Sequence, residues 1–287
     1  MAVGTAPEGV TNTYGTLEEL KARLGMTGAG HDPELWLALH GASRGVDDYC
    51  ARRFFVLRAT RLFDVENPAN FTVPDLVSVI ALKEDANRDR VHEVTRDPSD
   101  YLLYPLNADP QAAWGRPYGR VIADPHGARP SFTVGRSTVH MDGEWGYRSV
   151  FADSGADTAG GTLSSTATTA PTTSGAAFIP GMTIRVGAEQ VFVRQVSGDD
   201  LTVARGVNGT AATSHAGGTG LSVFRPPAQI VGATLLLAAR YWKRKDSAYG
   251  PVAGAHGLGA VHVNAGDDPD MARMLSAFRK LPLGVGV

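Results

Sequence analysis

The sequence predicts an α+β protein in which helices near both ends of the chain enclose two blocks of short β-strands. Helical apolar patterns occupy residues 16–54 and return after Pro226. Between them, short runs of alternating apolar and polar residues are separated by turn sequences, which is typical of antiparallel strands. A stretch of small polar residues, 152–177, divides these runs into two blocks. We therefore expect a small helical bundle with an antiparallel β extension, plus an inserted small all-β domain.

The first two helices are predicted from their start and stop signals. Residues 16–19, Thr-Leu-Glu-Glu, have the form of a capping box, and Gly25 stands where the helix should stop. Asp32 before Pro33 predicts the start of a second helix, with Asp32 as its N-cap. The pattern continues to Phe54, and its predicted solvent-exposed face carries His40, Arg44, Asp47 and Arg52. Its apolar positions form one stripe that we assign to core packing: Leu35, Leu39, Ala42, Val46, Tyr49, Cys50 and Phe54.

The strands are predicted from their period-two alternation. In the first block they lie at 58–65, 70–75, 77–85, 91–95, 100–106, 119–123, 131–134 and 138–145. The second block, 178–224, has the pattern of a small β module, with runs at 182–187, 189–196, 200–207 and 220–224. Residues 152–177, between the blocks, have the composition of a flexible connector.

A third helical run begins after Pro226-Pro227 and is apolar nearly all round in its first three turns. Such a helix has to be covered on every side, by its own domain and by a neighbour. Its basic end suits the helix dipole and contains Arg240, Lys243, Arg244 and Lys245. A Gly-rich arm, 250–266, follows, and Asp268-Pro269 opens a last amphipathic helix. A helix tethered in this way suits docking in a partner groove through its apolar stripe, Met271, Met274, Leu275 and Phe278.

The composition excludes several classes of protein. The 287 residues include one cysteine, so an intrachain disulfide is excluded. No apolar run reaches the length of a membrane span, and the N-terminus lacks the pattern of a signal peptide. We therefore expect a chain that folds in the cytoplasm and has no membrane partner. A net charge of −2 gives no overall attraction for nucleic acid.

Two features of the second helix resemble catalytic motifs. Residues 41–45, Gly-Ala-Ser-Arg-Gly, have the letters of a nucleophile elbow, and Cys50 is the lone thiol. An elbow needs a strand before the serine, whereas the helical period continues through Ser43. Cys50 falls on the apolar stripe, where a cysteine packs as a small apolar residue. We predict packing positions and no catalytic residue; a hydrolase that uses Ser43 is the alternative.

The metal-binding and phosphate-binding patterns are incomplete. Residues 85–96 begin like a calcium loop, but Arg90 and Arg96 stand where that loop has glycine and glutamate. This favours a polar hairpin turn. The glycines of 254–259 follow no strand, and His256 and His262 lie in an arm without rigid support. We predict no metal and no cofactor.

Five segments, in their order along the chain, resemble the head-to-tail connector (adaptor) proteins of tailed bacteriophages and related prophages. The most specific are ASRGVDDYCARRF, residues 42–54, and LLLAARYWKRKDSAYG, residues 235–250. The others are TLEELKARLGM, VPDLVSVIALKED and DPSDYLLYP. The resemblance implies a small helical bundle that bears a β-rich extension.

The resemblance also implies a structural, non-enzymatic protein of the virion neck, at the head–tail interface. Members form a ring, usually of twelve, beneath the portal protein. The ring extends the channel for double-stranded DNA, which passes without sequence-specific binding, and it receives the stopper or a tail protein. On this interpretation the stripe of the last helix docks on portal or on an adjacent adaptor. Charged contacts between subunits or with portal are assigned to Arg240, Lys243, Arg244 and Lys245.

One region departs from the family. Members pass directly from a Trp-Gly strand end to the Pro-led helix, whereas about 80 residues separate Trp145-Gly146 from Pro226 here. This predicts an inserted linker and β domain at 151–225. The other predicted parts are an N-terminal arm (1–15), an adaptor core (16–150 and 226–250) and a C-terminal arm with the docking helix (251–287). The alternative function is a tail-associated module that recognises carbohydrate or a host surface through the insertion.

Overall fold

The computed structural model describes residues 4–244, 252–253, 261–262 and 269–280. The predicted α+β class is confirmed, because the described chain has two six-stranded antiparallel sheets and few helices. Within the predicted Gly-rich arm, Val252–Ala253 pairs with Val261–His262, and the rest of that arm lies outside the described residues. No described helix is long and apolar enough to cross a membrane.

The chain divides into two compact units. The first contains residues 4–52, 151–207 and the described residues from 211 onwards, and the second contains 53–150 and 208–210. This division differs from the predicted domain boundaries, which join residues 16–150 to the late helix. The reason is that the helices and the second sheet share one hydrophobic cluster.

The first helix, α1 (Leu17–Leu24), has the predicted capping box. The Thr16 hydroxyl accepts a hydrogen bond from Glu19 N at 3.2 Å, and the Glu19 carboxylate accepts one from Thr16 N at 2.8 Å. Gly25 ends the helix with a φ of 69°. Glycine adopts this left-handed conformation without a Cβ clash. The predicted start and stop are both confirmed.

The start of α2 (Asp32–Cys50) differs from the prediction. His31 occupies the N-cap position without a side-chain hydrogen bond, and Asp32 lies inside the helix. The Asp32 carboxylate is buried, accepts a hydrogen bond from Gly4 N at 2.6 Å and forms an ion pair with Lys21. Asp32 as N-cap is therefore wrong, because its side chain is bound to two partners outside the helix.

The end of α2 also comes earlier than predicted. The helix stops at Cys50 because Ala51 has a left-handed φ of 51°. Phe54 is buried, but in the second compact unit, where its ring lies 5.6 Å from that of Tyr147. The continuation of the helical stripe to Phe54 is therefore wrong, whereas burial of its aliphatic members and of Cys50 is confirmed.

The third helix, α3 (Ala228–Arg244), follows Pro227 as predicted, and α4 (Pro269–Leu275) continues into a 3-10 turn, Ser276–Phe278. Part of the apolar surface of α3 is buried against other elements of the same chain. One buried cluster joins α1, α2, α3 and Phe192 of the second sheet, with Leu17, Leu20, Leu35, Trp36, Leu39, Ala42, Leu235, Ala238 and Ala239 as further members.

The first sheet lies in the second compact unit. Its strands are β1 (Leu57–Val65), β2 (Asn70–Glu84), β3 (Val94–Thr95), β4 (Tyr101–Tyr104), β5 (Tyr118–Ala123) and β6 (Gly135–Trp145). The hydrogen-bonded order is β1-β6-β2-β5-β4, with β3 beside β2. The short β4 therefore forms one edge of this sheet.

The long strand β2 replaces two predicted strands. Pro74 is its fifth residue, and a proline has no amide hydrogen for a ladder. The register of β2 against β5 shifts between Thr72 and Leu76, so the proline falls where this ladder is interrupted. Because the ladder with β5 is interrupted at Pro74 and resumes at Leu76, β2 continues as a single strand through a residue that normally ends one.

The predicted strand at 131–134 is wrong. This segment is irregular, and Phe132 N donates a hydrogen bond to Pro68 O at 2.7 Å. The Phe132 ring is buried 5.0 Å from the ring of Phe71 in the core of the sheet. The apolar alternation of this segment therefore reflects packing over the sheet and not strand pairing.

The second sheet contains β7 (Phe151–Asp157), β8 (Thr169–Pro171), β9 (Thr183–Val186), β10 (Glu189–Ser197), β11 (Asp200–Ala204) and β12 (Gly220–Phe224). Their order is β7-β12-β9-β10-β11-β8. All four strands predicted in 178–224 are confirmed. The flexible connector predicted at 152–177 is wrong, because β7 and β8 lie in this range and its small apolar residues are buried, among them Ala156, Leu163 and Ala170.

Two glycines of α2 lie where this helix meets α3. A Cβ on Gly41 would lie 3.9 Å from the Tyr241 ring, an ordinary contact. A Cβ on Gly45 would lie 3.2 Å from Leu237 Cδ2 and 3.3 Å from the Tyr241 hydroxyl. Glycine at position 45 therefore permits the close approach of α3, whereas position 41 has room for a methyl group.

Alanine should have opposite effects at these two positions. In a helix interior alanine is favoured over glycine by about 1 kcal/mol. We expect Gly41→Ala to stabilise the chain by about that amount, and Gly45→Ala to lose about 1 kcal/mol or more through overpacking. Denaturant unfolding followed by far-ultraviolet circular dichroism measures both midpoints. Equal stabilisation by the two substitutions would contradict the close contact at Gly45.

Candidate functional site

Ser43, the nucleophile of the elbow-like motif, is fully buried in α2. Its hydroxyl donates a hydrogen bond to Leu39 O at 2.8 Å and accepts one from Tyr14 N at 3.1 Å. The residue lies on a helix, and its oxygen connects that helix to the N-terminal segment. Ser43 therefore serves the packing of the chain, the role that the helical period predicts.

Cys50 is buried at the end of α2. Burial raises the pKa of its thiol to about 11, and Asp47 adds to the rise, while Arg52 and Arg279 oppose it. Since the thiolate is the nucleophilic form, a thiol with this pKa is almost entirely unreactive at neutral pH. This agrees with its predicted role in packing.

The face of α2 that was predicted to be exposed to solvent is partly buried. Asp47 accepts hydrogen bonds from the Tyr14 hydroxyl at 2.5 Å and from Arg44 Nε at 3.0 Å, and Arg44 also lies over the Tyr14 ring at 5.5 Å. Asp47 is thus a buried anchor for the segment before α1, and its assignment to solvent is wrong. This segment is not a free arm, since Ala6, Val10 and Tyr14 are buried.

The apolar stripe of the last helix lies mostly inside the first compact unit. Met271, Leu275 and Phe278 are buried, whereas Met274 is 37% exposed. The helix packs on α3, where a Cβ on Gly232 would lie 3.7 Å from Met274 Sδ. The described chain itself therefore covers three of the four residues predicted to dock on a partner.

The segment after α4 returns to the end of α2. Lys280 N donates a hydrogen bond to Cys50 O at 2.9 Å. The Arg279 guanidinium lies over the ring of Tyr49, 5.4 Å from its centroid. Tyr49, half-buried on the predicted stripe, is thus covered by the C-terminal segment.

The predicted charged contacts lie at the C-terminal end of α3. Arg240 is half-buried, and Lys243 and Arg244 are exposed. Lys245 lies outside the described residues. The nearby Trp242 ring packs edge-on against His31, 5.0 Å between centroids, which ties this end of α3 to the start of α2.

The calcium-like stretch forms the polar hairpin turn between β2 and β3, as predicted. Asp85 accepts hydrogen bonds from Asp89 N at 3.1 Å and from Arg90 N at 2.8 Å. The carboxylates of Asp85, Asp89 and Glu93 come within 4.8 Å of one another. The buried Asp85 carboxylate is therefore bound by backbone amides, as in a hydrogen-bonded turn. Of the predicted arm histidines, His262 lies on a short strand, and His256 is outside the described residues.

A buried ionic cluster around Glu189 was not predicted from the sequence. Glu189 opens β10 and is 1% exposed. Arg205 binds it with two hydrogen bonds, Nε to Oε1 at 2.7 Å and Nη2 to Oε2 at 2.8 Å. His215 Nε2 lies 2.8 Å from Oε2. Gly206 N and Thr213 N also donate to the carboxylate, so every partner comes from the loop after β11.

These contacts determine the ionisation of Glu189. Burial alone would raise the pKa of the carboxyl, but the hydrogen bonds from Arg205, His215, Thr213 and Gly206 outweigh it and lower the pKa to about 2. The carboxylate is thus charged, paired and saturated with donors, which is the arrangement of a structural anchor. The sequence signal was an acid at the start of an otherwise apolar strand, with an Arg-Gly pair at the end of the next strand.

No family model matches the sequence, and no curated protein matches it. Among solved structures, the chain is similar to one from the neck of an empty GTA particle computed with C6 symmetry. The sequence identity is 13%, the alignment covers 100% of this chain and 99% of that chain, and the TM-score is 0.43. A similarity at this level assigns no function to the chain by itself.

Glu189→Gln should destabilise the first compact unit and change its acid sensitivity. The folded-state pKa of about 2 lies below the ordinary value of 4.5, so the stabilisation is complete above pH 4.5 and is lost as the pH falls towards 2. We expect a loss of about 3 kcal/mol at pH 7, and less acid-dependent unfolding than in the parent chain. Thermal unfolding at several pH values measures both. The exposed Glu66 provides the control, Glu66→Gln, and equal behaviour of the two variants would refute the anchor.

Adjacent residues of α4 should respond differently to a charge. Leu275→Asp places a carboxylate in the buried contact and should release the last helix, whereas Met274→Asp places it at the partly exposed edge of the contact, where the shorter side chain reaches water. Hydrogen exchange of the Lys280 amide, which is bonded to Cys50 O, measures the docking. We expect exchange to accelerate at least about tenfold in Leu275→Asp, equivalent to about 1.4 kcal/mol, and to be unchanged in Met274→Asp. Fast exchange in the parent chain would show that the helix is not docked.

Proposed function

We propose that this chain is a structural subunit of the head-to-tail connector of a tailed phage or phage-like particle. It assembles into a ring, with twelve copies as the expected number, and acts without catalysis. The ring binds the portal protein on one side and the stopper or a tail protein on the other. Double-stranded DNA passes through its lumen, and the protein resides in the virion at the head–tail interface.

The observation that supports this proposal best is where the five family-like segments lie. Three of them fall on or beside helices that contact one another: 16–26 at α1, 42–54 at α2 and the described part of 235–250 at α3. Residues 73–85 and 97–105 fall in the antiparallel first sheet. Helices packed together with a β-rich extension are the architecture that the resemblance implies. Of the two most specific segments, residues 42–50 lie on α2 and residues 235–244 lie on α3, the pair that meets at Gly45.

The electrostatics are compatible with a DNA channel. A net charge of −2 gives the whole chain no general affinity for DNA, and a lining that does not bind DNA tightly lets it pass. The exposed Lys243 and Arg244 at the end of α3 supply a local positive charge for contacts with portal or with an adjacent subunit. Met274 is the exposed member of the last helix's stripe for the same contacts.

The alternative, recognition of carbohydrate or a host surface by the insertion, is less well supported. The second sheet contributes Phe192 to the cluster of the helices, so it forms part of the body of the first compact unit. Deletion of 151–225 would remove that core residue and damage the fold. The alternative is therefore tested with the intact chain, by binding to a glycan array and to host cells.

Assembly of the full-length chain with its portal protein tests the proposal. We expect native mass spectrometry and negative-stain images to show a closed ring, alone or seated on portal, with one copy number. Met274→Asp in the same assay tests the contribution of the last helix. A chain that stays monomeric and does not sediment with portal would refute the proposal, and specific glycan binding by that monomer would favour the alternative.

A further inference from the structure

An exposed tryptophan lies in the loop between β4 and β5. Trp114 is 75% exposed, and Leu106 in the same loop is 56% exposed. Tryptophan supplies a large apolar surface and is among the residues most enriched at the energetic centres of protein interfaces. In water its exposure is unfavourable, so this position needs an explanation beyond the fold of the single chain.

Hydrogen bonds give the loop a defined conformation. Arg116 N donates to Ala108 O at 2.9 Å, and Ser149 N donates to Pro110 O at 2.8 Å. The Arg148 side chain also donates to Ala113 O, next to the tryptophan. A Cβ on Gly115 would lie 1.6 Å from Asp109 O, so only glycine fits there. A loop held in this way loses little conformational entropy when its tip is buried by a partner.

The same compact unit carries a cleft of about 370 Å³. It is lined by residues 79–82 of β2, 95–98 and Tyr101. Ile80, which is 47% exposed, lies where the register between β2 and β6 shifts. Pockets of about this volume accept drug-sized molecules, so the volume of the cleft is sufficient for a tryptophan side chain. The cleft borders the first residue of β4, and the tryptophan loop follows its last residue.

The residues beside the two features include one pair of opposite charges. The other charged side chain of the cleft lining, Arg96, is buried and paired with Glu84. Arg116 is exposed two residues after the tryptophan. Asp97 lines the cleft, and hydrogen bonds from the backbone and side chain of Ser99 lower the pKa of its carboxyl, so it is ionised at neutral pH. A tryptophan inserted into the cleft would therefore bring a guanidinium towards a carboxylate. Opposite charges at the rim of an interface favour the correct register.

We propose that Trp114 of one copy inserts into the Ile80–Tyr101 cleft of the next copy, with Arg116 facing Asp97. The contact is head-to-tail: each copy presents its loop to one neighbour and its cleft to the other. A closed ring is built from contacts of this kind, which need two different complementary surfaces on every subunit. This inference rests on the proposed function, because it names the contact between neighbours in the ring.

A charge exchange tests the contact in the full-length chain. In Arg116→Asp two carboxylates face each other across the contact, and in Asp97→Arg two guanidinium groups do, so each variant alone should assemble at least about tenfold more weakly than the parent chain. In an equimolar mixture every loop can meet a cleft of opposite charge if the two variants alternate. We expect the mixture to recover rings with an even number of copies, counted by native mass spectrometry. Failure of the mixture to assemble while each variant remains folded would overturn the proposal.

Removal of the tryptophan provides an independent measurement. Trp114→Ala should weaken each contact between neighbours at least about tenfold, which is about 1.4 kcal/mol per contact, and so reduce ring formation. It should not lower the unfolding temperature, because the side chain is exposed. Leu62→Ala, at another exposed apolar residue of the same unit (56%), is the matched control and should not change assembly. Normal rings from Trp114→Ala would overturn this contact and leave the proposed function intact. Rings that form normally but no longer bind portal would also overturn it, by assigning the tryptophan to another partner. Absence of rings in the parent chain would refute both proposals.

Discussion

Burial of α2 on several sides is the constraint on which the first compact unit depends. Trp36, Leu39 and Ala42 are fully buried, and they share one cluster with α1, α3 and Phe192 of the second sheet. Each large apolar side chain buried in this way contributes about 1.5–3 kcal/mol, and the whole domain is stable by only about 5–15 kcal/mol. Loss of any one covering element would therefore expose enough apolar surface to threaten the fold. The second sheet is thus a structural requirement of the helices.

Features that depend on neighbouring residues were predictable from the sequence. The capping box at Thr16, the stop at Gly25 and the four strands of 178–224 involve hydrogen bonds or alternation within a few residues, so the sequence pattern contains them. Asp32 shows the limit of such patterns. It has the right identity for an N-cap, but Gly4 and Lys21 bind its carboxylate from distant positions. A partner 28 residues away leaves no local signal.

The candidate site shows the same limit on a larger scale. Periodicity correctly placed Ser43 and Cys50 in packing positions, since it reports which face of a helix is apolar. It does not report which element covers that face. The stripe of the last helix was therefore assigned to a partner, although three of its four residues are buried in the chain itself, where the helix packs on α3. The Glu189 cluster was missed for a related reason: its five donors converge only when the loop after β11 folds back over the start of β10.

Each sheet ends on one side at a very short strand, β4 with four residues and β8 with three. An edge strand offers unpaired amide and carbonyl groups to any other chain, and a long exposed edge is a template for uncontrolled β-pairing. With only a few such groups at these edges, two free copies gain little by joining sheet to sheet there. At these two edges the chain is in this way protected from the sheet-to-sheet pairing through which β-rich proteins aggregate.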